Sequence, residues 1–489
     1  YPLLAEPLLT TTQQQWVWSC GYVALLLALS VFALRTRVTA GRGNVAWATW
    51  QQRLQWLVLA AVPASLSYGL TAYVSTELGS FPLYWVVPLA LYLLSYIIAF
   101  GRSQLPLRLF SGIALATMAL VFGLVLTAMA GHELPMPLFL LLFSLLFFVL
   151  ATAIHARLAA AHPAPEALSE YYMWLALGGA LGGLFNVFVV PFVFTYPIEF
   201  FFAALLAALL LPITPRFDRL LRRLAVVVLF LLVGISQLMS HQPGQKMERN
   251  FFGVALVYEA DDINGHATRY LTTGVGLQGS QRREPYVETP PQLYFTVLQS
   301  LFAAKPLPRV GMLGLGAGMA LCFNQPPQYP RSFTVYEIDP KIRRIAETEF
   351  TYAQACGAPE WRMGDGRVEL QRDAQKQFDI LLIDAFQGIN IPVHLLTREA
   401  FALYRARLAP EGLLLYNTNS MYYGLTPQIL AQAKEAGWQA WQAPSSWLLL
   451  AQGGQDMRWL AALGWKPVDK TPDVRVWSDH WASPLSALR

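Results

Sequence analysis

A chain of 489 residues in which 55% are hydrophobic and only 13% charged departs from the roughly 25% charge of ordinary globular proteins. Only 18 of its 65 Lys, Arg, Asp and Glu side chains lie in residues 1–240 and the other 47 lie beyond, so the first half is membrane-like and the second soluble-like. This division excludes a wholly soluble enzyme, a disordered chain, a collagen and a disulfide-built scaffold, and a net charge of +5 gathered mostly in the apolar half argues against a nucleic-acid partner.

A bilayer core of about 30 Å takes about 20 apolar residues per helix. Eight windows meet that length: residues 16–34, 56–75, 82–100, 109–130, 136–155, 171–190, 195–213 and 224–240. The fourth and fifth are nearly free of polar groups and are expected to face lipid over much of their surface. In the sixth, GGALGG at 178–183 lets a second backbone come close, because helix association in lipid depends on packing. Tight helix contact is the plainer reading of those glycines and a substrate path the other. Trp16, Trp18, Trp56, Tyr84, Tyr171 and Trp174 stand near helix ends, as interfacial anchoring predicts.

All 11 basic residues of this half fall in alternate connections: Arg35, Arg37, Arg42 and Arg53; Arg102 and Arg108; Arg157; and Arg216, Arg219, Arg222 and Arg223. The positive-inside bias makes these connections cytoplasmic and places the N-terminus and everything after the eighth helix outside. The expected location is therefore an integral membrane one, with the second half in the periplasm or its equivalent. Buried charge would suggest a transporter. His132, Glu77 and Glu199 sit at predicted helix ends, where solvated loop roles are expected, so an anchor or docking platform is favoured over a pump.

From about residue 250 the pattern becomes short and alternating. VALVYEA (254–260) and ATRYLTTG (267–274), turned by Asp261, Asp262, Asn264 and Gly265, predict a small antiparallel β unit over 250–290. Over 291–489 apolar runs alternate with helical patterns: RVGMLGLG, then a helix from Gly318; SFTVYEID, then a helix from Pro340; FDILLIDAF, then a helix from Thr397; and GLLLYNTNS. Strands separated by helices predict a doubly wound, Rossmann-like parallel sheet whose ligands bind at the carboxyl ends of the strands. Cys20, Cys322 and Cys356 are too few for a disulfide framework or a Cys-rich metal site, and no metal-ligand spacing is present.

The chemistry-bearing residues fall at those strand ends. Gly314, Gly316 and Gly318 of GLGAG follow a strand and open a helix, where a bare backbone turns sharply and approaches a ligand. Glu337 stands 23 residues after Gly314 at the next strand end, placed to accept hydrogen bonds from ribose hydroxyls. No P-loop Lys or Ser/Thr follows, so the expected ligand is a nucleoside carrying little or no phosphate. Asp365 either accepts from an exocyclic amine such as that of adenine or, with Gly366, forms only a turn. Asp384 closes FDILLID and either orients or deprotonates an attacking amine or caps its strand. His394 reads as a hydrogen bonder that fixes a loop.

The β unit, GLGAG, YEID, GDG, FDILLID and PEGLLLYNTNS, in this order and spacing, resemble the spermidine synthase group, aminopropyltransferases that share the fold of S-adenosylmethionine-dependent methyltransferases. The resemblance covers residues 250–485, and the helices ahead of it look like the bacterial membrane-fused members. It implies that Gly314, Gly316 and Gly318 lie against the nucleoside, Glu337 binds ribose, Asp365 and Gly366 meet adenine, and Asp384 is the catalytic carboxylate. Gln292 matches the family's nucleoside-side glutamine loosely. The implied cosubstrate is decarboxylated S-adenosylmethionine or S-adenosylmethionine. Ala317 and Gln387 stand where authentic synthases carry acidic residues that hold a diamine, each contact being worth roughly 1.5–3 kcal/mol. The expected fold is thus about eight membrane helices (1–240) followed by this α/β domain. The expected partners are the lipid bilayer and a small-molecule nucleoside. A catalytically degenerate subunit of a membrane protein complex and a polyamine transporter are the alternatives.

Overall fold

The computed structural model describes residues 5–35, 47–78, 82–101, 106–129, 136–195, 198–211, 244–274, 276–283, 293–304, 309–324, 332–386, 391–420, 424–470 and 472–487. The eighth apolar window, His132, Gln292 and Gln387 lie outside these residues. The chain forms two compact units, one of residues 40–254 and one of residues 1–39 with 255–489.

In the second of these units, α1 (Ala5–Leu8) precedes the apolar helix α2 (Thr11–Arg35). The unit of residues 40–254 contains α3 (Trp50–Leu78), α4 (Pro82–Gly101), α5 (Leu107–Met129), α6 (Met136–Ala160), α7 (Leu168–Leu184), α8 (Val190–Val193), α9 (Glu199–Leu209) and the strand β1 (Gln245–Asn250). Among the described residues, five helical stretches are long and apolar enough to cross a membrane: Thr11–Arg35, Trp50–Ser75, Leu107–Leu124, Leu140–Ala160 and Pro165–Val193.

The sixth window's glycines do what close packing requires. A Cβ added to Gly178 would lie 2.4 Å from the Leu57 carbonyl oxygen, and one on Gly182 would lie 2.3 Å from that of Ala61. Helix α7 therefore rests backbone-on-backbone against α3. Gly182→Leu is expected to push the two helices apart and to lower the thermal midpoint of the detergent-solubilised chain by roughly 5 °C or more, with Gly179→Leu, where a Cβ meets nothing within 4 Å, as the neutral control.

Two expectations about this half change. The fifth window is not open over much of its surface: 61% of the apolar window in Leu140–Ala160 is buried within the protein, against 17% for that in Leu107–Leu124. Composition could not show this, because core and lipid are equally apolar. Glu199 is not a solvated loop residue either. It is 2% exposed and takes a two-point ion pair from Arg249 of β1, at 2.6 and 3.1 Å. A buried polar group also went unnoticed in the sequence. His155 of α6 is fully buried, with Nδ1 2.8 Å from the Ser95 hydroxyl of α4 and its ring stacked on Tyr96.

In the α/β unit, β2 (Gly253–Asp261), β3 (Ala267–Thr273) and β4 (Gly276–Arg282) pair antiparallel in sequence order. Beyond α10 (Leu293–Ala304) an eight-stranded sheet follows, made of β5 (Arg309–Leu313), β6 (Ser332–Glu337), β7 (Glu360–Met363), β8 (Phe378–Ile383), β9 (Leu408–Asn417), β10 (Trp438–Gln442), β11 (Trp447–Gln452) and β12 (Lys466–Pro467). Its order is β12-β10-β11-β9-β8-β5-β6-β7. The five strands from β9 to β7 are parallel, while β11, β10 and β12 run antiparallel. The sheet is thus mixed rather than wholly parallel. The cause is local: four residues, 443–446, join β10 to β11, which suffices for a hairpin but not for a crossover helix.

Helices α11 (Pro340–Thr348), α12 (Tyr352–Ala355), α13 (Gly366–Arg372), α14 (Arg398–Arg407) and α15 (Thr426–Glu435) fill the connections. Asp339, Asp365 and Thr397 cap α11, α13 and α14 through their side-chain oxygens. The helix predicted from Gly318 is, in the described residues, only the 3₁₀ run Met319–Asn324. The chain leaves β5 toward β6 on one side and returns to β8 on the other. The carboxyl end of β5 is therefore a topological switch point, where open α/β sheets bind ligands.

Candidate nucleoside site

Gly314, Gly316 and Gly318 leave β5 with φ of +83°, +59° and +91°, conformations that side chains rarely adopt. The Gly314 N–H donates to the Tyr336 carbonyl at 2.9 Å, fastening the loop to β6. A Cβ on Gly314 would lie 2.6 Å from the Asp384 carbonyl oxygen. A Cβ on Gly316 would lie 2.2 Å from the Gln278 carbonyl oxygen, which accepts the Ala317 N–H at 3.2 Å. The glycines thus serve two contacts, with β8 beneath and with β4 of the small sheet above. Ala317 is 1% exposed, and a Cβ on Gly279 would meet its methyl at 2.5 Å. A carboxylate at position 317 would have no space here.

Glu337 ends β6 and is 6% exposed. Its carboxylate accepts the Leu315 N–H from the glycine loop at 3.2 Å and the Asp339 N–H at 2.9 Å. Burial pushes this carboxyl up to about 7, against the opposing pull of the Asp339, Leu315 and Ile338 backbone donors. A carboxylate offers about four acceptor positions, so these three donors leave capacity for a hydroxyl. Asp384 follows β8, its N–H bonded to the Leu313 carbonyl at 3.0 Å, and its Oδ1 accepts from the Asn417 amide at 2.7 Å. Asn417 is the last residue of β9 and 4% exposed. The tips of β6, β5, β8 and β9, consecutive in the sheet, thus carry Glu337, the glycine loop, Asp384 and Asn417 in a row.

Asp365 stands past β7 and is already engaged. Its Oδ1 accepts the Arg367 and Val368 N–H groups, both at 3.0 Å, and its Oδ2 lies 2.9 Å from His394 Nε2. Asp365 thus caps α13 and holds His394. The backbone of Gly366 passes over β5, where a Cβ would meet Leu313 at 2.9 Å. Arg367 forms a two-point pair with Asp479 of the C-terminal segment at 2.7 and 2.6 Å, and Asp479 also accepts from Thr397 at 2.7 Å. The Asp479 carboxyl is held below the usual range, chiefly by hydrogen bonding to Arg367. The closing segment VWSDHWASPL therefore braces the helix that Asp365 caps.

Sequence reasoning missed Gln278, Asn417 and Asp479. Asn417 was legible in principle, since it ends a strand of the same parallel set. Gln278 and Asp479 come from outside the βα units and carry no local signal.

No protein-family model matches this chain. A polyamine aminopropyltransferase of Vibrio vulnificus is 37% identical over 133 residues, 27% of this chain and 44% of that protein. A probable polyamine aminopropyl transferase of Bifidobacterium longum is 31% identical over 114 residues, 23% of this chain and 24% of that protein. The matched stretch therefore spans less than half the length of either relative. A probable spermidine synthase from Corynebacterium glutamicum superposes with a TM-score of 0.36 at 17% identity, over 45% of this chain and 86% of that one. By its curated relatives, together with its ordered motifs, this chain is spermidine synthase-like.

Proposed function

We propose that the α/β unit binds the adenosine moiety common to S-adenosylmethionine, its decarboxylated form and methylthioadenosine, that it carries out aminopropyl-type group transfer, and that the apolar helices anchor it in a membrane. The observation supporting this reading is the row of strand tips in which Glu337 and Asp384 flank the glycine loop. Glu337 is the acceptor for ribose. Asp384, oriented by Asn417, holds an acceptor amine in line with the carbon next to the sulfonium. The N–C bond forms as the C–S bond breaks, sulfur leaves as a neutral thioether, and the surplus amine proton passes to Asp384 or to solvent. Such catalysis consists mainly of alignment.

A second reading, nucleoside binding without turnover, is favoured by the closed-in Ala317 and by the commitment of Asp365 to its cap and to His394. Calorimetric titration of the full chain with methylthioadenosine and S-adenosylmethionine tests what both readings share. Saturable heat is expected, and none at millimolar ligand with folded protein would remove the site. Asp384→Asn separates the two. Turnover is expected to fall by roughly 10²–10⁴-fold, the usual weight of a positioned acid–base group, while nucleoside affinity stays within about threefold. Unchanged turnover would end the catalytic role.

A further inference from the structure

We infer that Cys322 and Cys356 form a structural disulfide and that the α/β unit consequently lies in an oxidising compartment outside the cytoplasm. The two residues are 34 positions apart in sequence with Cα atoms 4.9 Å apart, inside the span that a disulfide bridges without backbone movement. Both are buried, at 9% and 6% exposure, within the main hydrophobic cluster. Cys322 lies in the 3₁₀ run immediately after Gly318, and Cys356 is the C-cap of α12. The segment leading into α12 also grips β4: the Tyr352 hydroxyl donates to the Ser280 carbonyl at 2.6 Å, and Thr351 exchanges hydrogen bonds with Gln281. The bond therefore ties the turn after the glycine loop to the segment that holds the strand covering Gly316.

Cytosolic thiols are kept reduced, whereas lasting buried disulfides belong to oxidising compartments. Helix α2 supplies an independent argument for the same side. Its first residue bonds to the closing segment, Thr11 N–H to the His480 carbonyl at 2.9 Å, and Trp481 Nε1–H donates to the Pro7 carbonyl at 3.2 Å. Its other end is Arg35, followed by Arg37. The positive-inside bias puts that basic end in the cytoplasm, so the end attached to the α/β unit faces out. One helix suffices to fix this orientation, whatever the number of the others. In forming the bond each thiol gives up one proton and one electron. The acceptor is the disulfide of an extracytoplasmic thiol oxidant, reduced to two thiols through a mixed disulfide.

The test is a thiol count on the full chain expressed in a bacterial host, acid-quenched, denatured and alkylated with a polyethylene-glycol maleimide. One adduct, from Cys20, is expected without reductant and three with it. Three without reductant would overturn the proposal. Cys356→Ala should show two adducts without reductant; a single adduct would mean that Cys322 pairs elsewhere and would equally overturn it. For sidedness, Ile263→Cys in a Cys20→Ser background places a thiol on the fully exposed turn after β2. Labelling of intact spheroplasts by an impermeant maleimide is expected, and labelling only after lysis would sink the outward placement. None of these readouts depends on whether a nucleoside binds.

Discussion

Gly316→Ala is expected to destabilise the α/β unit by about 2–5 kcal/mol and to abolish nucleoside binding, whereas Gly318→Ala is expected to cost only about 1–2 kcal/mol. Both positions have positive φ, +59° and +91°, and the left-handed conformation costs a side-chain-bearing residue roughly 1–2 kcal/mol. At Gly318 that is the whole penalty, because the nearest atom to an added Cβ, Tyr352 Cβ, lies at an ordinary 3.5 Å. At Gly316 the added carbon falls 2.2 Å from a backbone carbonyl oxygen, that of Gln278. Backbone cannot rotate aside as a flexible side chain would. Either β4 moves off the loop or the loop leaves β5, and both moves break the Ala317 N–H bond to Gln278; overpacking of this kind adds about 1–3 kcal/mol. Urea midpoints of the two variants, read from the tryptophan fluorescence of the full chain in detergent, check the contrast. Equal losses would show that β4 does not press on the glycine loop.

The second large effect is a pH dependence carried by Glu337. Burial raises its carboxyl to about 7 from an ordinary 4.5, so the proton is bound more tightly in the folded chain than in the unfolded one. Below about pH 4.5 both states are protonated and the contribution to stability is fully present. Between about 4.5 and 7 the unfolded state ionises while the folded state remains neutral, and stability falls by up to about 1.4 kcal/mol per pH unit. The total loss above pH 7 is on the order of 3 kcal/mol. Glu337→Gln cannot ionise, so its stability should be flat across that window once the contributions of other groups, common to both proteins, are subtracted. Parallel slopes for the two proteins would disprove the assignment. Ribose hydroxyls donating to Glu337 favour its ionised form, so methylthioadenosine should bind more tightly as pH rises from 6 to 8 and should release a proton in weakly buffered solution near neutrality. Affinity independent of pH over that range would remove Glu337 from the ligand's contacts.

The oxidised placement bears on which reading of function holds. A sulfonium cosubstrate made in the cytoplasm does not reach an outward-facing cleft unaided, so a confirmed cystine would favour nucleoside binding without turnover. The Asp384→Asn comparison then becomes the discriminating experiment between the two.

Much of the site was legible because it is local. GLGAG, Glu337, Asp365 and Asp384 each follow a recognisable β-run, and once β5, β6, β7 and β8 are parallel neighbours their carboxyl ends converge. The glycines could be read from the chain because positive φ is a property of single residues. What eluded such reading depends on partners distant in sequence. Asp365 could be read as a base contact or a turn residue, and its bonds to the N–H groups of Arg367 and Val368 and to a histidine 29 residues away appear only in the fold. Ala317 was legible as a missing carboxylate, but the reason it is small, its burial against Gly279, depends on another sheet.

By itself the sequence determined the division into an apolar helical half and an α/β half, the strand–helix alternation and the acidic residues at strand ends, because hydropathy, periodicity and backbone freedom act over a few neighbouring residues. Only the tertiary structure decided that the fifth apolar window is largely buried within the protein, that the sheet's last strands turn antiparallel, that Glu199 is neutralised by Arg249 and that Cys322 meets Cys356. Those outcomes depend on which distant surfaces meet, and an apolar face or a thiol carries no local mark of its partner.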